Sequence, residues 1–113
     1  MVERQHERLD VRGEMRGEVM TYQPMTITQI SEGGARVDTA FALHLDTVHQ
    51  FRLSLNDLSV IVRGRIAYSR ISRVENQRGL TYQSGVEFVD LSEHARLALA
   101  SFMQEIRRRQ EGP

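Results

Sequence analysis

Residues 49–62 read HQFRLSLNDLSVIV and contain the pattern that decides the fold. Apolar side chains alternate with polar ones in the first half, as Phe51, Leu53 and Leu55 against Gln50, Arg52 and Ser54. A period of two is typical of a strand with one buried face. Asn56 and Asp57 then offer residue types that tolerate a positive φ in a tight turn. The stretch therefore predicts a β-hairpin.

The same alternation recurs on both sides of this hairpin. An early segment places these residues on one face: Leu9, Val11, Gly13, Met15, Gly17 and Val19. The return strand of the hairpin predicts an inward row of Leu58, Val60, Val62, Ile66 and Tyr68, and a last strand predicts an inward row of Leu80, Tyr82, Val86 and Phe88. Gly64 interrupts the first of these rows, which predicts a bulge or a close packing point. One-sided strands in this number need a closed or folded sheet, so we expect a β-dominated protein.

The residues between the first strand and the hairpin alternate less regularly. Met25 and Ile27 share a parity that Ile30 does not, which predicts either a bulge or burial on both faces. Gly33 and Gly34 come next, and they predict a turn between two short strands. Adjacent glycines fit a positive φ or a close backbone approach to a ligand.

The C-terminal residues change to a helical period. Apolar side chains recur at three- and four-residue intervals, at Ala95, Leu99, Phe102, Met103 and Ile106. Ser92 is a suitable N-cap, and the arginines at 107–109 complement the helix dipole. We expect one amphipathic helix over residues 92–109.

Length and composition limit the classes of protein that this chain can represent. A chain of 113 residues encloses one core, so we expect a single domain over residues 1–113. Fifteen basic residues, all arginine, balance fifteen acidic ones, which argues against a nucleic-acid polymer held by a broad basic surface and against a membrane surface. The absence of cysteine excludes disulfides, thiolate metal sites and a cysteine nucleophile. No run of apolar residues approaches a membrane span, so we expect a cytoplasmic protein without membrane insertion.

Two short motifs carry a family resemblance. Residues 4–8 read RQHER, and residues 29–34 read QISEGG. Together they resemble the split signature of the PilZ domain, RxxxR followed by (D/N)xSxxG, and residues 85–88 (GVEF) resemble the Gly-x-x-Phe that is common in that family. The resemblance implies a six-stranded antiparallel β-barrel of the split-barrel type with one C-terminal helix, which agrees with the alternation and the helical period.

The resemblance also implies a ligand and a site. PilZ domains bind cyclic di-GMP, and the matching residues here are Arg4, Arg8, Gln29, Ser31, Gly33 and Gly34. The planar arginine fork suits both phosphate and the guanine edge. We expect residues 1–9 to be a flexible segment that carries Arg4 and Arg8 over the ligand. Gln29 stands where the family has Asp or Asn, whose side chain hydrogen-bonds the guanine, so replacing Gln29 by Asp or Asn is expected to strengthen binding.

The sequence leaves three functional hypotheses. In the first, the chain is a cyclic di-GMP receptor or adaptor module that relays the level of this second messenger to a partner protein. In the second, it is a degenerate adaptor of the same fold that acts only by protein–protein interaction. The third, an unrelated small β-barrel enzyme or oligonucleotide binder, lacks a coherent catalytic set or a row of exposed aromatics. We expect no enzyme activity, no cofactor and no metal, since His44, Asp46 and His49 match no strong metal motif.

Overall fold

The computed structural model describes residues 7–12, 15–19, 23–55, 57–75 and 79–111. Arg4 of the predicted signature lies outside these ranges, as does most of the predicted flexible segment 1–9, although Leu9 already belongs to a strand. The elements of the described part are β1 (Leu9–Asp10), β2 (Arg16–Val19), β3 (Gln23–Ile30), β4 (Gly34–Thr39), β5 (Val48–Leu55), β6 (Leu58–Glu75), β7 (Gly79–Val89) and α1 (Glu93–Glu111).

Six of these strands form a closed ring. They adopt the order β3-β2-β5-β6-β7-β4, and the pairing of β4 with β3 closes the circle. All pairings are antiparallel. The short β1 pairs with the C-terminal end of β3, at Leu9 opposite Ile30 and Asp10 opposite Gln29. The predicted six-stranded antiparallel barrel is therefore confirmed.

The alternation of the sequence fills the interior of this ring. The hairpin forms as predicted, with Leu55 opposite Leu58, and the side chains of Phe51 and Leu53 are buried. Strands β3, β4, β6 and β7 supply most of the other core side chains of the ring, and Met15 lies just before β2: Met15, Met25, Ile27, Ile30, Val37, Val60, Val62, Ile66, Val86 and Phe88. In β3 a register shift between Ile27 and Gln29 leaves Thr28 as an extra residue. This bulge brings Ile30 back into the core beside Ile27 and confirms the first of the two predicted explanations.

Two residues of the predicted inward row of β6 are in fact exposed. Tyr68 is 40% exposed and Leu58 is 42% exposed. Tyr68 leaves the core because β6 shifts register between Ile66 and Tyr68, so that the extra residue Ala67 turns the next side chains over. Leu58 starts the strand, directly after the turn of the hairpin. Gly64 lies in regular register and is a close packing point, since a Cβ there would lie 2.3 Å from Cγ1 of Val86.

Beyond the ring, β6 and β7 continue as a two-stranded arm. Residues 73–75 of β6 pair with residues 79–81 of β7, and these residues of β7 have no pairing with β4. Ile71 and Val74 are exposed on this arm, and Leu80 and Tyr82 are only half-buried. The predicted inward row of β7 is thus buried only at Val86 and Phe88, where the strand belongs to the barrel.

The helix α1 covers the barrel with one apolar face. Ser92 is its N-cap, because its Oγ accepts a hydrogen bond from the amide of Ala95 at 3.0 Å. The predicted stripe is buried from Ala95 to Ile106. The helix runs two residues further than predicted, to Glu111, since the arginines of its last turns pair with Glu105 and Glu7 rather than ending the helix.

Candidate functional site

The turn between β3 and β4 is organised by the side chain of Ser31. Its Oγ accepts hydrogen bonds from the amides of Gly33 and Gly34, both at 3.1 Å. The amide of Ser31 donates to the carbonyl of Gly34 at 2.8 Å, and the side chain is 5% exposed. Ser31 therefore fixes the path of the turn, and its hydroxyl is already engaged within the protein.

Gly34 is required by the approach of β7. A Cβ at this position would lie 2.2 Å from the carbonyl oxygen of Val86, closer than any side chain tolerates. The amide of Phe88 also donates to the carbonyl of Gly33 at 2.9 Å. The close approach predicted for the glycines is therefore an approach between two strands of the barrel, which seats the turn directly on β7.

An open groove of about 480 Å³ runs along this turn. Its volume falls in the range of about 300–1,000 Å³ that is common for small-molecule sites. Every described residue of the predicted site lines it: Arg8, Gln29, Ser31, Gly33 and Gly34. Residues that are 26 positions apart in the sequence thus meet at one place, because β1 pairs with the end of β3 from which the turn departs.

Gln29 lies at the rim of the groove and reaches across to β1. Its Nε2 donates a hydrogen bond to Oδ1 of Asp10 at 3.0 Å. The two residues are direct partners in the antiparallel pairing of β1 with β3. The backbone of Asp10 is held in turn by Nε2 of Gln110, which donates to its carbonyl at 2.6 Å.

The amino-acid sequence matches the family model of the PilZ domain over residues 3–105, which is most of the chain. This chain belongs to the PilZ domain family. The match includes both arginines of the first motif and the whole of the second. A comparison with functionally curated proteins finds no match.

Solved structures of PilZ proteins share the fold at low sequence identity. The chain is similar to the PilZ domain with c-di-GMP of YcgR from Escherichia coli, with a TM-score of 0.78 and 10% identity over 96% of this chain and 95% of that one. It is also similar to the MrkH–c-di-GMP complex of K. pneumonia (TM-score 0.72, 15% identity, 96% of this chain) and to the inhibitor of motility MotI/DgrA of Bacillus subtilis (0.66, 17%, 97%). This chain spans about half the length of these last two, 56% and 52%.

Eight lining residues of this PilZ domain are not among the predicted site residues, and three of them, Arg36, Tyr68 and Glu87, have long polar or aromatic side chains. Arg36 of β4 and Glu87 of β7 enter the groove because their strands pair next to the turn. Tyr68 enters because the bulge at Ala67 turns it outward. Its ring lies over Gly85, where a Cβ would lie 2.2 Å from Cε2 of the ring. The Gly-x-x-Phe motif at 85–88 is the one sequence signal for this contact. It predicts that something approaches Gly85 closely, but not that the approaching group is the ring of Tyr68.

The polar rim of the groove is partly ordered by neighbours. The guanidinium of Arg36 donates through Nε to Oγ1 of Thr28 at 3.1 Å, so its terminal nitrogens remain for a ligand. Glu87 pairs with Arg65, which also lies 3.4 Å from Asp46. Among the described residues that line the groove, Arg8 and Arg36 are cations and Glu87 is a carboxylate, so the lining carries a net positive charge.

Asp38 lies on β4 two residues beyond Arg36. Within the described part of the chain its Oδ1 is buried and has no hydrogen-bond partner. Burial raises the pKa of this carboxyl above its usual 3.8, and the nearby guanidinium groups of Arg36 and Arg73 only partly offset this. A raised pKa in the folded state means that ionisation of Asp38 costs stability. The free energy of unfolding therefore falls as the pH rises from 3.8 through the raised pKa that Asp38 has in the folded state.

Replacing Asp38 by asparagine is expected to stabilise this PilZ domain at pH 7, because an asparagine side chain stays neutral and its amide can donate. The gain should shrink as the pH falls, and it should vanish below 3.8, where the wild-type carboxyl is protonated in both states. Urea denaturation of both proteins from pH 3 to pH 8 measures this difference. Asp57→Asn, at an exposed turn, is the matched control. A variant less stable than the wild type at pH 7 would show that attraction to the arginines outweighs burial.

The N-terminal side of the groove is attached to the end of α1. Glu7 pairs with Arg107 at 2.5 Å, immediately before Arg8. Together with the bond from Gln110 to Asp10, this pair joins β1 to the last turns of the helix. The segment of Glu7 to Asp10, which includes Arg8, is therefore held by both β3 and α1.

The described residues contain no cluster of three or more His, Cys, Asp or Glu side chains placed to hold a metal ion. His49 instead shares a hydrogen bond of 2.8 Å with Oγ1 of Thr47, and burial together with His44 lowers its pKa. In the described part of the chain, no helix is long and apolar enough to cross a membrane.

Proposed function

We propose that this PilZ domain is a receptor and adaptor module that binds cyclic di-GMP in the groove and passes this signal to a partner protein. One observation carries the proposal. Arg8 and the Gln29–Gly34 segment, distant in the sequence, line the same open groove. The described residues of both motifs thus border the same groove, which supports a shared binding site.

The side chains in this groove suit the chemistry of the ligand. Arg8 supplies a planar cation for a phosphodiester or for O6 and N7 of a guanine. Arg36 of β4 adds a second described guanidinium to the lining. We propose from the motif alone that Arg4 also contributes to binding. Ser31 and the two glycines keep the turn low, so that a ligand can approach the main chain. Tyr68 offers an aromatic edge at the far side.

The structural relatives support the choice of ligand. The PilZ domain of YcgR and MrkH are both described with c-di-GMP, and the former aligns with nearly all of this chain. MotI is described as an inhibitor of motility. A role in relaying the messenger to another protein fits such relatives, and the partner is part of the proposal.

Calorimetric titration of the purified protein with cyclic di-GMP, carried into the low millimolar range, tests the proposal. We expect saturable heat, and no saturation with cyclic di-AMP, whose adenines present a different edge. The protein must remain folded by circular dichroism throughout. Absence of saturable binding in the folded protein would overturn the receptor hypothesis.

One observation favours the second hypothesis, a nucleotide-free adaptor. One N–H of the Gln29 amide is engaged by Asp10, so this amide cannot turn to meet a ligand without giving up that hydrogen bond. For that hypothesis we expect no heat in the titration and an intact fold. The partner would then bind equally well with and without cyclic di-GMP.

A further inference from the structure

The carboxylate of Asp10 lies next to the groove, because its Oδ1 accepts a hydrogen bond at 3.0 Å from Gln29, which lines the groove. In the family, position 29 carries the Asp or Asn that hydrogen-bonds the guanine, and here that position is Gln29. Asp10 is its direct partner across the pairing of β1 with β3. Directly opposite residues have Cβ atoms about 4.5–5.5 Å apart, so the two side chains can serve one point in space.

The hydrogen bond between the pair assigns a role to each atom. A carboxylate only accepts, so the amide of Gln29 must turn Nε2 towards Oδ1 of Asp10. A carboxylate has about four acceptor sites, and Gln29 uses one of them, so both oxygens of Asp10 remain able to accept from a ligand. Asp10 is exposed, and its contact with Gln29 places it at the edge of the groove that Gln29 lines.

The position of this carboxylate is fixed before any ligand arrives. Gln110 holds the carbonyl of Asp10, and the amide of the next residue, Val11, donates to the carbonyl of Thr28 at 3.1 Å. Gln29 fixes the side chain. A prearranged acceptor loses little entropy on binding and favours the ligand that matches it.

We propose that Asp10, oriented by Gln29, accepts hydrogen bonds from N1–H and the N2 amino group of a guanine and so determines the base specificity of the groove. This inference rests on the proposed function and deepens it. Guanine presents two adjacent donors on that edge, and charge-assisted bonds to a carboxylate are the stronger kind. In this chain the carboxylate belongs to Asp10 of β1 instead of to position 29 of β3, and the side chain of Gln29 is long enough to reach it with a hydrogen bond.

The pair changes the expected effect of restoring the family residue. Gln29→Asp would place two carboxylates directly opposite each other, and like charges in that arrangement repel. We therefore expect Gln29→Asp alone to weaken binding or leave it unchanged, in contrast to the prediction from the sequence. An exchanged pair, Asp10→Asn with Gln29→Asp, keeps one carboxylate and one amide and should bind well.

The test is calorimetric titration of five proteins with cyclic di-GMP: the wild type, Asp10→Asn, Gln29→Asp, the exchanged pair, and the control Asp57→Asn. Asp10→Asn should weaken binding about 10-fold or more, which is the loss expected for a charge-assisted bond. The exchanged pair should recover to within about 3-fold of the wild type, as for coupled residues in a double-mutant cycle. The control should bind like the wild type, and all five should remain folded by circular dichroism.

Cyclic di-IMP supplies the second measurement, because inosine lacks the N2 amino group. The wild type should bind it about 10-fold more weakly than cyclic di-GMP, and Asp10→Asn should have lost most of this preference. Asp10→Asn binding as well as the wild type, or more tightly, would overturn the inference, because an anion that only repels the phosphates gives a tighter variant. In that case the wild type still binds and the receptor function stands. A wild type that binds neither nucleotide overturns the proposed function itself, and this inference with it.

Discussion

Replacing Arg8 by alanine is expected to reduce the affinity for cyclic di-GMP about 100-fold or more, so that calorimetry detects no saturation. Arg8 lies just before β1 and lines the groove together with Gln29. A guanidinium that binds phosphate or guanine through two parallel bonds gives up two charge-assisted interactions when it is truncated. Each is worth about 1.5–3 kcal/mol, or roughly 10- to 100-fold in affinity.

The control for this prediction is Arg63→Ala. Arg63 is an exposed arginine on β6 that does not line the groove, and its carboxylate contact with Asp90 is 3.9 Å long. Both variants remove one positive charge from the domain, so a difference between them reports on position rather than on net charge. Equal, small losses in the two variants would place the ligand elsewhere on the protein.

The second large effect concerns the helix that covers the barrel. Phe102→Ala is expected to reduce the free energy of unfolding by about 3–5 kcal/mol, the usual loss for a buried phenylalanine. Phe102 is 1% exposed and packs in the core with Leu99 and Ile106. Since small domains have about 5–15 kcal/mol of stability in total, the variant should unfold at a much lower urea concentration.

Leu97→Ala gives the matched comparison on the same helix. Leu97 is 59% exposed, and alanine is an equally good helix former, so the change should stay within about 0.5 kcal/mol. Urea denaturation monitored by circular dichroism measures both variants. If Phe102→Ala were as stable as Leu97→Ala, the result would contradict the burial of Phe102 in the core.

The sequence predicts most of this fold because the alternation within each strand indicates its buried face. The burial of Phe51, Leu53 and Leu99 can be predicted from the spacing of apolar residues alone, without knowing which strand or helix lies beside them. Bulges cannot be identified in this way. The extra residue at Ala67 reverses the parity of the residues after it, and only the pairing with β7 reveals this, so Tyr68 lies outside although its parity predicts burial.

The sequence predicts the residues of the candidate site that belong to a motif, and it misses those that reach the groove through strand pairing. Arg8, Ser31 and Gly34 belong to local patterns. Arg36 and Glu87 reach the groove only because β4 and β7 are neighbours, which no local pattern indicates. The partnership of Asp10 with Gln29 likewise depends on the register of a two-residue strand.

The floor beneath the groove has a consequence for how such a domain can change its ligand. Main chain and very small residues form that floor, from Gly33 to Ala35 on one side and at Ala67 and Gly85 on the other. The path of the main chain in this floor does not depend on the identity of the longer side chains around the groove. Recognition is therefore confined to a few replaceable side chains that add little to the core. A lineage can exchange these side chains, or coupled pairs such as Asp10 with Gln29, and acquire a different preference while the main chain beneath them stays the same.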